Sequence, residues 1–146
     1  MQVEIKIDVN CKETKVIIVT DKMTDEIKKL SEKILESVPF VLTGFKDDLV
    51  FILDYGKIIR FYTANQKVYA VIENGEYTIR LRLYELEERL NPSVFVRISN
   101  TEIINLRMVQ GFDLSFSGTI CVKFKDGSVS YVSKRYVAKI KQVLGI

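Results

Sequence analysis

Hydrogen-bonding side chains are concentrated in two short stretches of this chain, and their types suit recognition of a polar surface rather than bond-breaking chemistry. The first is Phe95-Val-Arg97-Ile-Ser99-Asn100-Thr101-Glu-Ile103-Ile104-Asn105-Leu106-Arg107, where polar groups interrupt an apolar run too densely for an ordinary core strand. The second is Lys125-Asp126-Gly127-Ser128-Val-Ser130-Tyr-Val-Ser133-Lys134-Arg135-Tyr136, which reads as a tight hairpin running straight into a basic helix start. Their amide, hydroxyl and guanidinium groups can pair with base edges or phosphates. A catalytic inventory is missing. The chain has no histidine, its cysteines stand in no motif, and no Walker or Rossmann glycine pattern or metal-ligand spacing occurs. The adjacent pairs Asp47-Asp48 and Glu87-Glu88 have diverging side chains and read as solvated. The residues therefore predict no enzyme, no cofactor and no metal.

Charge points the same way. The net charge of +3 conceals an asymmetry: residues 1–48 carry 8 Lys/Arg and 10 Asp/Glu, net −2, and residues 49–146 carry 14 and 9, net +5. Residues 123–146 alone hold Lys123, Lys125, Lys134, Arg135, Lys139 and Lys141 against Asp126, again net +5. Such a cluster is either a surface for a polyanion such as nucleic acid or a solvated lysine-rich face. With 146 residues and 47% apolar content, the chain suits one compact domain, or a domain of about 100 residues with an extension. Its longest apolar runs, Val16 to Val19 and Leu49 to Leu53, fall far short of the roughly 20 residues of a membrane span. Residues 1–10 lack the apolar core of a secretory signal. The expectation is a soluble, cytoplasmic chain with Cys11 and Cys121 as reduced, buried thiols.

The elements that must position these groups follow from periodicity. Gln2 to Asp8 alternates with period two and Thr14 to Thr20 is rich in β-branched residues, so both are predicted strands, joined through Asn10 to Glu13. Thr24 caps a predicted helix with Ile27, Leu30, Ile34 and Val38 on one face, ended by Pro39. Residues 40–48 read as a connection. Four strands then follow at Leu49–Leu53, Lys57–Thr63, Lys67–Glu73 and Glu76–Leu81, the last two joined by an Asn74-Gly75 turn. Leu83, Leu86 and Leu90 mark a short helix stopped by Asn91-Pro92, and Val94 to Ile98 is extended. If Asp126-Gly127 is the whole loop, Phe124 faces Val129 and Val122 faces Tyr131, with Lys123 and Lys125 opposite Ser130 and Ser128. Ser133 caps a last helix with Val137, Ile140 and Leu144 on one face and Gly145 as its stop. Lys134 and Arg135 sit in its first turn, where the helix dipole disfavours cations; a bound phosphate or guanine edge would resolve that conflict.

The two polar stretches together resemble the LytTR family of bacterial DNA-binding domains. Its signature is an aromatic-x-Arg-x-His-x-Ser-x-Val-Asn run, then an x-Asp/Asn-Gly hairpin and a Ser-Arg/Lys helix entry. The resemblance covers about residues 45–146 and implies loops that present polar side chains to successive major grooves of duplex DNA. Asn100 stands at a position where the family places a DNA-contacting residue, and Arg135 matches the Arg/Lys of the helix entry. Lys134 and Thr101 are expected on phosphate. Ser99 replaces the usual histidine, and the loop Thr63 to Lys67, which also approaches DNA in the family, offers Gln66 and Lys67. These departures bear on which sequence is read. Arg97 and Asn105 match the motif as well, and serve either to contact DNA or to tie backbone together. In the family, members bind paired or repeated sites, and some stand-alone members act beside a small inhibitory membrane protein.

The expected fold is α+β and mostly β: a β-β-α extension over residues 1–44, then a LytTR-like antiparallel domain with short helices over 45–146. The expected function is a bacterial, sequence-specific, duplex-DNA-binding transcriptional regulator. The alternative is a β-rich module whose basic face meets RNA or an acidic protein. The acidic extension is expected to dimerise or dock a partner through Ile27, Leu30 and Ile34, since so small a unit buries little surface alone.

Overall fold

Hairpin follows hairpin along most of the chain, because strand-forming runs alternate with two- and three-residue turns. The computed structural model describes residues 1–12, 14–37 and 41–146. A helix, α1 (Asp25–Ser37), comes first. The Thr24 hydroxyl accepts the Ile27 N–H at 3.2 Å, so the predicted cap is present. Five strands follow: β1 (Leu42–Lys46), β2 (Leu49–Leu53), β3 (Arg60–Ala64), β4 (Lys67–Ile72) and β5 (Gly75–Ile79). After α2 (Leu83–Arg89) come β6 (Phe95–Ser99), β7 (Glu102–Asn105), β8 (Val109–Asp113), β9 (Ile120–Phe124) and β10 (Val129–Val132), and α3 (Val137–Leu144) closes the chain. The strands form two antiparallel sheets, one of seven strands in the order β2-β1-β5-β4-β3-β7-β6 and one of three in the order β10-β9-β8.

Two apolar cores hold these layers together. One face of the large sheet packs on α2, with Leu42, Phe61, Ala70, Leu86 and Ile103 buried between them. The small sheet and α3 cover the other face at the β6–β7 end, burying Val96, Ile98, Ile104, Val122, Phe124 and Ile140. Phe95 and Ile103 point to the first core while their neighbours Val96 and Ile104 point to the second. The β6–β7 hairpin is thus apolar on both faces, which accounts for its unbroken hydrophobic runs.

Several expectations need correction. No strand occurs in residues 2–8 or 14–20 among the described residues, so the N-terminal part is a helix ahead of the strands and not a β-β-α unit. Val3, Ile5, Ile7 and Val9 are each at least 86% exposed, and a lone two-stranded hairpin with nothing on its apolar face is marginal in water. Cys11 is exposed, whereas Cys121 is buried as expected. Val38 and Pro39 lie outside the described residues. The stretch read as a connection contains β1, which pairs with both β2 and β5, and the boundary drawn at residue 44 falls inside that strand. The strand predicted from Lys57 begins instead at Arg60, because Asp54 accepts the Gly56 N–H at 2.9 Å and closes a short 3-10 turn over Tyr55–Lys57. Ile72 pairs with Gly75, so the β4–β5 loop is Glu73-Asn74, one residue earlier than expected.

The β9–β10 register also differs by one. Val129 faces Lys123 and Ser130 faces Val122, because the loop is Lys125-Asp126-Gly127, with Phe124 and Ser128 closing it. The Asp126 carboxylate accepts both the Ser128 hydroxyl, at 2.6 Å, and its N–H, at 2.9 Å, and Gly127 takes the left-handed φ of 90° that a three-residue hairpin requires. Those bonds also hold the Asp126 carboxyl below the usual carboxylate range. A one-residue slip turns every side chain over, so Ser130 points inward while Val129 and Tyr131 face solvent.

Candidate nucleic-acid interface

Three loops far apart in sequence meet at one end of the large sheet. The β6–β7 turn, Ser99 to Thr101, is tied to β3 by the Thr63 N–H donating to the Thr101 carbonyl at 2.9 Å. On its other side the Ser133 N–H donates to the Ile98 carbonyl at 2.9 Å, and the Tyr136 hydroxyl donates to the Asn100 side-chain oxygen at 3.1 Å. The β3–β4 turn, Asn65-Gln66, lies beyond Thr63, and the 3-10 turn Lys134–Tyr136 lies beyond Ser133. The exposed side chains of Gln66, Lys67, Asn100, Thr101, Lys134 and Arg135 are therefore borne by loops braced against one another.

The remaining motif residues build that edge from below. Arg97 donates to the Ser99 carbonyl at 3.0 Å and the Asn100 carbonyl at 2.7 Å, and pairs with Glu87 of α2 at 3.1 Å. Its guanidinium is spent on shaping the turn. The Ser99 hydroxyl accepts the Thr101 N–H and lies 3.2 Å from the Thr101 hydroxyl, so the residue standing where histidine is usual organises the loop internally. Asn105 is fully buried; its amide donates to the Ile58 carbonyl at 2.8 Å and accepts the Arg107 N–H at 3.0 Å. Both ends of that side chain tie backbone, so of the two roles open to Asn105 the geometry supplies the structural one.

Two features were not visible from local pattern. Nothing in local pattern marks Tyr136, whose partner Asn100 lies 36 residues away. Glu102 accepts the Ser130 hydroxyl at 2.6 Å and pairs with Arg60 at 3.3 Å, joining the two sheets just beneath the loops. Ser133, expected as a side-chain cap, makes no capping bond with its hydroxyl; its carbonyl accepts the Tyr136 N–H at 2.8 Å and starts the 3-10 turn instead. Lys134 and Arg135 consequently sit in that turn, ahead of α3, whose end is closed by Gly145 at φ 73°. Backbone strain marks the neighbouring loop. Asn65 and Gln66 have φ of 52° and 63°, a type I′ turn in which the second residue is ordinarily glycine.

Among the described residues there is no metal-ligating cluster and no helix long and apolar enough to cross a membrane. The family model for the LytTr DNA-binding domain matches residues 48–145. An uncharacterized HTH-type transcriptional regulator of Staphylococcus aureus strain NCTC 8325 / PS 47 is 32% identical, covering 100% of this chain and 99% of its own. A similar regulator of strain MSSA476 is 33% identical, covering 94% and 95%. In shape, the chain is similar to the LytTr DNA-binding domain of a response regulator from Bacillus cereus, with a TM-score of 0.71 at 21% identity, covering 75% of this chain and 100% of that one. The chain belongs to the LytTr DNA-binding domain family, a non-catalytic family of DNA-binding transcriptional regulators.

Proposed function

We propose that this protein is a cytoplasmic transcriptional regulator that reads a specific duplex sequence through the three-loop edge. The observation that carries this reading is the Tyr136–Asn100 bond, which holds an exposed amide beside Lys134 and Arg135. In this reading Asn100 pairs with an adenine edge and Arg135 with a guanine in the major groove, while Lys134, Lys67 and Thr101 meet phosphates. Gln66 reaches the same duplex from the β3–β4 turn. Ser99, Arg97 and Asn105 position the loop. Two copies engage paired or repeated sites, joined through residues 1–44, with Ile27, Leu30 and Ile34 at that contact.

Selection from random duplexes, followed by affinity measurements on the enriched and on random DNA, tests the division of labour. Asn100→Ala and Arg135→Ala should each cost about 1–3 kcal/mol on the enriched site and little on random DNA. Lys134→Ala should weaken both alike. Equal losses on both DNAs for all three variants would mean that none of them reads sequence, and a pool without a shared sequence would defeat specific binding altogether.

Gln66 offers a separate check, since its left-handed backbone and its proposed contact can be pulled apart. Gln66→Gly should raise unfolding stability by about 1 kcal/mol in urea melts, by removing the strain of a non-glycine residue there, and should weaken DNA binding. Asp48→Gly, in the β1–β2 turn at the opposite end of the sheet, should stabilise in the same direction with no effect on DNA. A Gln66→Gly protein with unchanged affinity would remove Gln66 from the interface.

A further inference from the structure

Residues 2–8 are exposed, carry no strand ladder among the described residues, and have a sequence that is complementary to itself when reversed. Around Ile5 as a centre, an antiparallel pairing of two copies sets Val3 against Ile7, Ile5 against Ile5, and Glu4 against Lys6. Each dimer then holds two Glu4–Lys6 pairs on one face and six apolar side chains on the other. The other alignments are poorer. Centring on Glu4 or on Lys6 sets like charges opposite each other, a parallel pairing sets Glu4 on Glu4 and Lys6 on Lys6, and an odd offset puts apolar side chains opposite charged ones.

Among the described residues, no strand of the single chain pairs with this segment. Val3, Ile5 and Ile7 are 87%, 86% and 89% exposed, and Val16, Ile17 and Val19 just after them are exposed as well. So many exposed β-branched side chains on one short stretch mark an association surface. The segment ends in a formed turn, in which the Asn10 N–H donates to the Asp8 carboxylate at 2.9 Å and the Cys11 N–H to the Asp8 carbonyl at 3.0 Å.

We infer that two copies of this chain associate through antiparallel pairing of residues 2–8 about a two-fold axis at Ile5. The interface is isologous, so each copy supplies the same surface and the assembly closes at two. The shared apolar face, from Val3, Ile5 and Ile7 of both copies, is covered by Val16, Ile17 and Val19 and by the half-buried α1 stripe of Ile27, Leu30 and Ile34. This deepens the proposed function by naming the surface that joins two DNA-binding domains and so raises the effective concentration of the second on paired sites.

Sedimentation velocity of the full chain over a concentration series, with two charge variants, tests it. The unaltered chain should dimerise. Glu4→Lys places a second cation opposite Lys6 twice per dimer and should raise the dimer dissociation constant by about tenfold or more. Adding Lys6→Glu restores both pairs and should return the constant to its original range, which a merely structural role for either residue would not do. Both positions are exposed, so folding is not at stake. A chain that stays monomeric, or a dimer indifferent to both variants, overturns the proposal. Affinity for a single half-site separates the two readings: it should be equal in all three proteins, and its absence in the unaltered chain would count against the DNA-reading edge and not against the dimer.

Discussion

Raising the salt concentration from about 50 to about 200 mM should weaken duplex binding by roughly 10²- to 10⁴-fold, the loss expected when about 4 to 8 phosphates are neutralised. The count rests on which cations are free to act. Arg60 pairs with Glu102, Arg97 with Glu87, and Lys123 more loosely with Asp113 at 3.8 Å. Lys67, Lys125, Lys134, Arg135, Lys139 and Lys141 are exposed and have no carboxylate within ion-pairing distance among the described residues. Binding that releases counterions falls linearly in logarithmic coordinates, so fluorescence anisotropy at four or five salt concentrations gives the slope directly. Lys134→Ala should lower that slope by about one, because one phosphate contact is lost. A flat salt response would remove the electrostatic basis of the interface.

Asn105→Ala should destabilise the fold by about 2–4 kcal/mol, which lowers the melting temperature by on the order of 5–10 °C in a domain of this size. The side chain is fully buried and satisfies two backbone groups, the Ile58 carbonyl and the Arg107 N–H. Removing it leaves the carbonyl of the fully buried Ile58 and the part-buried Arg107 N–H without their partner, and the cost of an orphaned buried group exceeds the value of an average hydrogen bond. Chemical denaturation should show the loss, while affinity for the preferred duplex, measured well below the melting temperature, stays within a few-fold of the original. Unchanged stability with lost affinity would instead make Asn105 a DNA-contacting residue.

The particular residues show where pattern sufficed and where it did not. The β4 and β5 strands, the Leu83–Leu86–Leu90 helix and the Phe95 strand were each readable because local periodicity and a nearby breaker act within a few residues. β1 escaped because Thr43-Gly44 looks like a break. Gly44 is instead where β1 meets β2 and β5 closely: an added Cβ would come within 2.7 Å of Leu53 and 2.8 Å of Tyr77. The β9–β10 register failed by one residue because Ser128 bonds Asp126 and lengthens the loop, a choice that the Asp-Gly pair alone leaves open. Residues 2–8 read as strand-forming, yet among the described residues their pattern has no ladder in one chain.

By itself, the sequence determined the mostly-β class, the basic second part, and the two polar stretches that identify the family, since composition, charge and short motifs are properties of neighbouring residues. Only the tertiary structure decided which polar residues face outward. Asn100 and Asn105 are the same amide in one motif; one stands exposed beneath the Tyr136 hydroxyl and the other is buried between the Ile58 carbonyl and the Arg107 N–H. Arg97 and Arg135 divide likewise, the first spent on Glu87 and two loop carbonyls, the second left on the surface. The physical reason is that buried backbone groups must find partners, and which partners come within hydrogen-bonding distance depends on contacts between strands and loops dozens of residues apart.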